Sequence, residues 1–248
     1  MTAAAVLARS APPAAPAPVP APASGPRSRA VAYQRVLHQL VRRELRLLAD
    51  LATWAPADDP ARTQDLTRHA DLLGRLLLHH HRTERDLLWP ALLRSVPADR
   101  TETVRARVLD WTASVAGLDH RLRDLSTAAR QWAVAGTPPA RNAFAMACLD
   151  VADAVDAQTA AEERELLPEL GAYLPAEAWT AIARAARCPL SGREQLFVLG
   201  LALEDACPGD RARLLAALPR STRLLWRLAG HGRYRATVVR LRGAPPAP

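Results

Sequence analysis

The sequence contains no lysine, few phenylalanines and tyrosines, and no paired-cysteine motif. All 33 basic residues are arginine, and only two Phe and three Tyr occur in 248 residues. Leu, Ala, Val and six Trp must therefore fill the core, a composition that favours helices over strands. Cys148, Cys188 and Cys207 include no Cys-x-x-Cys pair. This argues against a disulfide framework and predicts a reducing, cytoplasmic location.

Long apolar runs are also missing. No run approaches the roughly 20 residues of a membrane-spanning helix, so we expect no membrane partner. The first residues lack the basic segment of a signal peptide. Residues 1–29 are rich in Ala and Pro and predict a disordered tail. The net charge of +8 is compatible with an acidic partner but does not require one.

Four long segments place their apolar residues with helical spacing, at about 31–51, 61–90, 101–134 and 138–167. Prolines or Gly136 separate them. The third segment has a regular apolar seam at Val108, Trp111, Val115, Leu118, Leu122, Leu125, Ala129 and Trp132. The pattern predicts an all-α protein, with an up-down four-helix bundle over residues 30–170. Shorter helical pieces predict a C-terminal extension over 171–243 that packs on the bundle, and a tail over 244–248.

Several metal-binding residue types lie on the apolar faces of these helices. His80 and Glu84 are four residues apart, so they share a helix face and can bind one metal ion. His38 lies on the apolar face of the first helix, and Gln158 and Glu162 lie on that of the fourth. Uncompensated carboxylates are costly in a bundle core, so this arrangement favours cations between the helices.

Two further histidines fit this picture less well. In a regular helix His120 lies nearly opposite the apolar seam and belongs to a solvated face, while Asp119 lies at the edge of the seam. A one-residue π-bulge near Gly117 would rotate His120 by about a quarter turn. His69 lies about 16 Å along the helix axis from His80, too far to share its metal, so we expect a structural role.

Several of these motifs together resemble the hemerythrin-like, or HHE cation-binding, family. The resemblance covers roughly residues 31–170. Its most specific part is the histidine run followed by Glu and Leu-Leu-Trp-Pro. The matching pieces are His38-Gln-Leu-Val-Arg-Arg-Glu-Leu, His79-His80-His81 with Glu84 and Leu87-Leu88-Trp89-Pro90, Asp119-His120, and Glu162-Glu163-Arg-Glu-Leu-Leu-Pro168.

The resemblance implies a four-helix bundle that holds a non-haem di-iron centre, with manganese as an alternative to iron. By position, His38, His80 and His120 would be imidazole ligands, and Glu84 and Glu162 would be bridging carboxylates. The residues themselves offer further candidates for weaker ligands or for support of the ligands, namely Gln158, Glu44, His79, His81, Asp119 and Glu163. His79 and His81 point to other sides of their helix than His80, so we expect them to face away from the site and to be supporting or surface residues.

Gln158 departs from the family pattern, which has His four residues before the glutamate. Its neutral amide is a weaker iron ligand than imidazole. The second iron would then lack a ligand, and the open position would be free for a substrate, dioxygen or peroxide.

Three functions remain open at this point. The first is a di-iron protein that binds or activates a small oxidant such as dioxygen, peroxide or nitric oxide. The second is a di-iron oxygenase or oxidase that acts on an organic small-molecule substrate. The third is a metal-free, degenerate bundle that serves as a binding or regulatory module.

The C-terminal stretch Arg220–Arg242 has seven arginines and no acidic residue. Trp226 and Tyr234 interleave with the arginines, as aromatics do in many nucleic-acid-binding proteins. No nucleic-acid motif accompanies them. We therefore favour an amphipathic helix that packs on the bundle and turns four apolar residues inward, namely Leu224, Leu225, Leu228 and Val239.

Overall fold

The computed structural model describes residues 28–206 and 208–246. Most of the predicted tail over 1–29, the end of the tail over 244–248 and Cys207 lie outside the described residues. The described part of the chain is helical and contains no strand, so the predicted all-α class is confirmed. None of its helices is long and apolar enough to cross a membrane.

Four long helices form the bundle, and each packs against two of the others. The first contacts the second and the last, and the third contacts the same two. A short helix, α3, continues the second helix after a π-helical turn at Glu84–Leu88. The helices are α1 (Arg29–Trp54), α2 (Pro60–Thr83), α3 (Trp89–Ser95), α4 (Ala98–Ala135) and α5 (Pro138–Glu165).

Local sequence signals set the helix ends. The Asp59 side chain accepts hydrogen bonds from the backbone N–H groups of Ala61 and Arg62, which caps α2 just before Pro60. Gly136 ends α4 with a positive φ of 58°, a conformation that glycine adopts without steric cost. The breaks inferred from the sequence therefore coincide with real turns between bundle helices.

The seam of α4 packs into the core as the periodicity predicts. Val108 is partly buried, and the rest of the seam is fully buried. Trp132 donates its ring N–H to the Ala57 backbone oxygen at 3.1 Å, so its polar atom is satisfied inside the core. The α-helix runs without interruption from Ala98 to Ala135, so it has no bulge near Gly117.

The C-terminal extension contains further helices. Two of them, α8 (Gly192–Glu204) and α11 (His231–Arg242), pack against each other, and α8 also contacts α1. The Tyr234 ring lies against Gly200 of α8, where an added side chain would collide with it. Arg242, at the end of α11, donates hydrogen bonds to Glu44 of α1 and to Glu204 of α8. The helices are α6 (Leu167–Tyr173), α7 (Ala176–Ala185), α8 (Gly192–Glu204), α9 (Pro208–Ala217), α10 (Arg220–Leu225) and α11 (His231–Arg242), with a π-helical turn at Trp226–Gly230.

The face that the extension turns inward differs from the prediction. The four apolar residues expected to face the bundle are all exposed, with Leu228 at 76 %. Trp226 and Tyr234 are buried instead, with ring centroids 6.1 Å apart. In a regular α-helix, residues eight apart point about 80° away from each other. The π turn adds one residue between the two aromatic side chains, and this brings them onto one face.

Candidate metal centre

Three of the bundle helices and the π turn bring four of the predicted metal ligands together. The ligand atoms of His38, His80 and Glu84 all lie within 4.8 Å of one another. His80 Nε2 is 3.3 Å from Glu84 Oε1, and His38 Nε2 is 3.5 Å from Glu162 Oε1. None of the four residues is more than 5 % exposed. They form one buried cluster, which we call the His–Glu centre.

Glu84 stands at the point where α2 changes into a π turn. Its backbone N–H contacts the carbonyl oxygens of both His80 and His81. The Glu84 carboxylate lies beside His80, which is one turn earlier in the helix. Leu88 and Trp89, which follow the π turn, are buried. π-helical turns of this kind occur frequently at functional sites.

Neutral donors hold the two carboxylates. Gln34 Nε2 donates to Glu84 Oε1 and, at 3.3 Å, to Glu162 Oε1. Glu162 Oε2 accepts from Gln158 Nε2 at 2.9 Å and from Trp111 Nε1 at 3.1 Å. Glu162 is therefore oriented by three helices at once, before any cation is considered.

Gln34 and Trp111 are functional residues that sequence reasoning missed. Gln34 precedes His38 by four residues and is buried on the same face, so the i, i+4 spacing could have identified it. Trp111 was predicted only as a seam residue. Its indole N–H needs an acceptor when it is buried, and that requirement was the available signal.

The tautomer of His38 directs a lone pair toward the centre. Nδ1 donates a hydrogen bond to Glu163 Oε1 at 3.0 Å, and Arg42 holds the same oxygen at 3.1 Å. His38 Nε2 is then buried with no hydrogen-bond partner, and so is Glu84 Oε2. Unpartnered buried polar atoms of this kind are rare in native proteins. A cation between them would satisfy both.

The electrostatic environment differs from one residue of the centre to the next. Burial raises the pKa of Glu84 well above its usual value, and the charge of Glu162 raises it further. Burial also opposes ionisation of Glu162, but His38 and His80 lower the pKa of that carboxyl overall. Burial lowers the pKa of His80 well below its usual value, so its imidazole is neutral and able to bind a metal.

For His38, burial lowers the pKa, but hydrogen bonds and charge from Glu162 and Glu163 raise it overall. Within the described residues no arginine contacts Glu84 or Glu162. The centre thus combines two buried carboxyl groups with two imidazoles and lacks a permanent cationic side chain.

His120 takes no part in the centre, although the family resemblance implied it as a ligand. Its side chain is 69 % exposed and lies 3.7 Å from Asp124 on the same helix. The regular geometry of α4 explains this, because it leaves His120 on the face opposite the buried seam. The residue that α4 turns toward the centre is Trp111, a hydrogen-bond donor with no metal-binding atom.

The neighbours of His80 have different environments. His81 was expected to face away from the site, yet it is buried and donates from Nδ1 to Asp119 Oδ1 at 2.8 Å. Its Nε2 is buried without a partner, and its ring centroid lies 5.9 Å from that of His80. His79 is partly buried, and burial lowers its pKa. His81 and Asp119 therefore border the centre, whereas the His79 side chain forms no hydrogen bond or ion pair with it.

Glu44 belongs to a second buried cluster, not to the His–Glu centre. It accepts from Arg43 at 2.8 Å and from Arg242 at 2.6 Å, and its other oxygen lies 3.0 Å from His69 Nε2. Burial alone would raise the pKa of Glu44, but His69, Arg242 and Arg43 lower it to about 2. We call this group the Glu44 cluster. Its positive charges come from the protein itself.

The donor set of the His–Glu centre fits one divalent cation. Two imidazoles and two carboxylates suit iron or manganese. A second cation needs further donors. Gln158 uses its amide N–H group on Glu162, and His120 faces solvent. The described residues therefore provide a good site for one metal ion and an incomplete site for two.

Comparison with protein families supports this assignment. The family model described as Hemerythrin HHE cation binding domain matches residues 29–176, which is more than half of the chain. The match contains every residue of the His–Glu centre. Comparisons with curated proteins and with solved structures found no match. On this evidence the chain belongs to the hemerythrin HHE cation-binding domain family.

Proposed function

We propose that the chain holds one divalent cation, most suitably iron, at His38, His80, Glu84 and Glu162, and uses it to bind or activate a small oxidant. The candidates are dioxygen, peroxide and nitric oxide. The observation that carries the proposal is the charge of the buried centre. It joins two carboxylates to two imidazoles, with unpartnered atoms on His38 and Glu84 and no arginine in contact with either carboxylate.

Each residue of the centre has a defined part in this function. Glu163 fixes the tautomer of His38, and burial keeps His80 neutral. Gln34, Gln158 and Trp111 orient the carboxylates through their N–H groups. Such surrounding hydrogen bonds usually raise metal affinity by 10- to 100-fold. A bound iron would supply Lewis acidity and redox chemistry, with coordination positions left for an external ligand.

The burial of the centre favours a small ligand over an organic substrate. Its four residues are at most 5 % exposed, so a molecule of a few atoms reaches them with the least rearrangement. Two surface clefts lie elsewhere, one of about 190 Å³ between α2, α8 and α11, and one of about 280 Å³ between α8 and α11. Neither cleft is lined by a residue of the centre. An oxygenase acting on a larger substrate would need an opening at the centre itself.

One observation favours a second candidate, a metal-free binding or regulatory module. Neutral donors already satisfy three of the four carboxylate oxygens, through Gln34, Gln158 and Trp111. The raised pKa of Glu84 would also allow that carboxyl to keep its proton. A protonated Glu84 beside an ionised Glu162 would let the bundle fold without a cation.

Metal content per chain separates these functions. Protein purified without oxygen and supplied with ferrous iron should retain about one ion per chain, measured by mass spectrometry after gel filtration. His80→Ala and Glu84→Ala should lose it. The matched control is His120→Ala, which removes an exposed imidazole and should keep the metal. Nitric oxide added to the wild-type iron form should give the spectrum of an iron–nitrosyl species, and none in the two ligand variants.

Three results would contradict the proposal in whole or in part. Wild-type protein that takes up no metal would favour the metal-free module. Iron retained at the wild-type level in both His80→Ala and Glu84→Ala would place the cation at another site. Iron bound as expected, but with no response to nitric oxide, dioxygen or peroxide, would leave a metal-binding protein without the proposed oxidant chemistry.

A further inference from the structure

The segment from Arg220 to Arg242 crosses the surface of the extension as one continuous helical rod. It consists of α10, the π turn and α11, and its inner side is formed by Trp226, Tyr234, Val238 and Leu241. Its outer side is exposed, although the sequence predicted that its leucines would be covered. Leu224 and Leu228 are 58 % and 76 % exposed.

An apolar stripe runs along this outer side. The π turn adds one residue to the helix, which shifts the helical spacing by one position. With this shift, the positions on the side opposite the buried aromatic pair recur about once per turn. Each of these positions carries an apolar or small side chain. They are Leu224, Leu228, Gly232, Ala236 and Val239, and all five are exposed.

Arginines border the stripe on both edges. By the same helical geometry, Arg220, Arg227 and Arg235 lie along one edge and Arg233 along the other. In the described part of the chain, the side chains of these four and of Arg223 have no hydrogen-bond or ion-pair partner. By contrast, Arg240 and Arg242 are paired with acidic side chains of the bundle or of α8.

We propose that this arginine–leucine face docks on the surface of an anionic lipid bilayer. A helix with an apolar stripe between basic edges lies in the plane of the membrane interface, with leucines in the outer acyl region and arginines at the phosphates. Five arginines without an acidic partner among the described residues, and no acidic residue in the segment, give it the charge that such a surface attracts. This revises the expectation of no membrane partner, which rested on the lack of a spanning segment.

Other occupants fit the observations less well. A second copy of the chain would bring two rows of unpaired arginines together, in a protein whose net charge is already +8. Single-stranded nucleic acid requires aromatic rings for stacking, and both aromatic side chains of this segment are buried. The membrane proposal is independent of the metal at the His–Glu centre.

Vesicle flotation of the full chain tests the proposal. The probes are vesicles of phosphatidylcholine alone and of phosphatidylcholine mixed with phosphatidylglycerol. We expect binding to the anionic vesicles only, and less of it as salt is added, because screening weakens the arginine contribution. Arg220→Gln with Arg227→Gln should weaken binding about 25-fold, since each arginine near an anionic surface contributes roughly fivefold. Leu224→Ser with Leu228→Ser should weaken it by about tenfold or more.

Matched controls come from other surfaces of the bundle. Leu109→Ser changes an exposed leucine of α4, and Arg94→Gln changes an exposed arginine of α3. Both controls should bind vesicles as the wild type does. The proposal is overturned if the wild type ignores anionic vesicles, or if the controls lose as much binding as the test variants. A concentration-dependent dimer that Leu228→Ser abolishes, in a protein that ignores vesicles, would instead assign the face to a second copy.

Discussion

Two buried clusters in this bundle pair histidine with glutamate, and they balance their charge in opposite ways. In the Glu44 cluster, Arg43, Arg242 and His69 surround the carboxylate and lower its pKa to about 2. In the His–Glu centre, no arginine contacts Glu84, and burial raises the pKa of Glu84 well above its usual value. Arginines neutralise the carboxylate of the first cluster, and the second has no arginine at its carboxyl groups in the part of the chain that the structure describes.

This difference separates a structural ion cluster from a cation site. Both clusters place a glutamate and a histidine within hydrogen-bond distance, so distance alone does not distinguish them. The distinguishing feature is which atoms lack a hydrogen bond. At the His–Glu centre they are a possible ligand nitrogen and a carboxylate oxygen, His38 Nε2 and Glu84 Oε2. In the Glu44 cluster both carboxylate oxygens have a basic partner, and the atoms without a hydrogen bond are arginine nitrogens. The Glu44 cluster connects the extension to α1, whereas the His–Glu centre has no arginine partner in the described chain, which is why we propose a cation there.

The largest effect should come from the Glu44 cluster. Glu44→Gln removes a buried anion that faces Arg43 and Arg242, and breaking a buried ion pair costs about 3–5 kcal/mol of unfolding free energy. Urea denaturation of the metal-free protein measures it. The control is Glu102→Gln, an 83 % exposed carboxylate 3.4 Å from Arg105, which should cost about 1 kcal/mol or less. Equal losses in both variants would contradict a stabilising role for the Glu44 cluster.

The same variant predicts a dependence on pH. The pKa of Glu44 is about 2 in the folded protein against an ordinary 4.5. Its stabilisation is therefore fully present above pH 4.5 and is lost as the pH falls toward about 2. The difference in unfolding free energy between wild type and Glu44→Gln should shrink across that range. A difference that stays constant there would show that the charge of Glu44 is not its source.

The next effect should come from metal removal. A ligand that binds only the native state stabilises it by about 2.7 kcal/mol at one hundred times its dissociation constant. Chelation should thus lower the melting temperature of the wild type and of Glu44→Gln alike. Glu84→Ala should show no response to chelator. Two results would show that a metal at the His–Glu centre does not stabilise the fold. One is a response to chelator that persists in Glu84→Ala, and the other is an unchanged wild-type melting curve after verified metal loss.

The smallest effect should come from Gln158, one helical turn before Glu162. Gln158→His replaces an amide that donates to Glu162 with an imidazole, which is a stronger iron ligand. Metal content should rise from about one toward two ions per chain. Gln39→His adds a histidine at an exposed position of α1 and should leave the content unchanged. Unaltered occupancy and optical spectrum in Gln158→His would show that Gln158 only orients Glu162.

Much of the bundle and part of the centre follow from sequence patterns. The spacing of Trp111, Leu118 and Leu125 predicts the buried seam of α4, and proline and glycine mark the turns. His80 and Glu84 share a face because residues four apart always do so on a helix. The approach of His38 to Glu162 depends on how the bundle helices pack. Periodicity predicts that a bundle forms, but not which side chains of different helices meet.

Two histidines show what helical spacing does and does not predict. Spacing placed His120 on a solvated face, where the unbroken helix α4 leaves it, and only the family motif implied a ligand role. Spacing placed His81 away from the face of His80, as a supporting or surface group, and the structure buries it against Asp119 of the neighbouring helix. A sequence shows which face of a helix a residue occupies, but not which other helix covers that face.

The sequence by itself determined the helical class, the positions of the bundle helices and the pairing of histidine with glutamate along one helix. These depend on local periodicity and on residues that end helices. Tertiary structure alone decided which glutamate meets arginine and which does not. It also decided that a π turn buries Trp226 and exposes Leu228. Such outcomes depend on contacts between distant segments and on single residues added to a helix. The local spacing of residues in the sequence does not predict either of them.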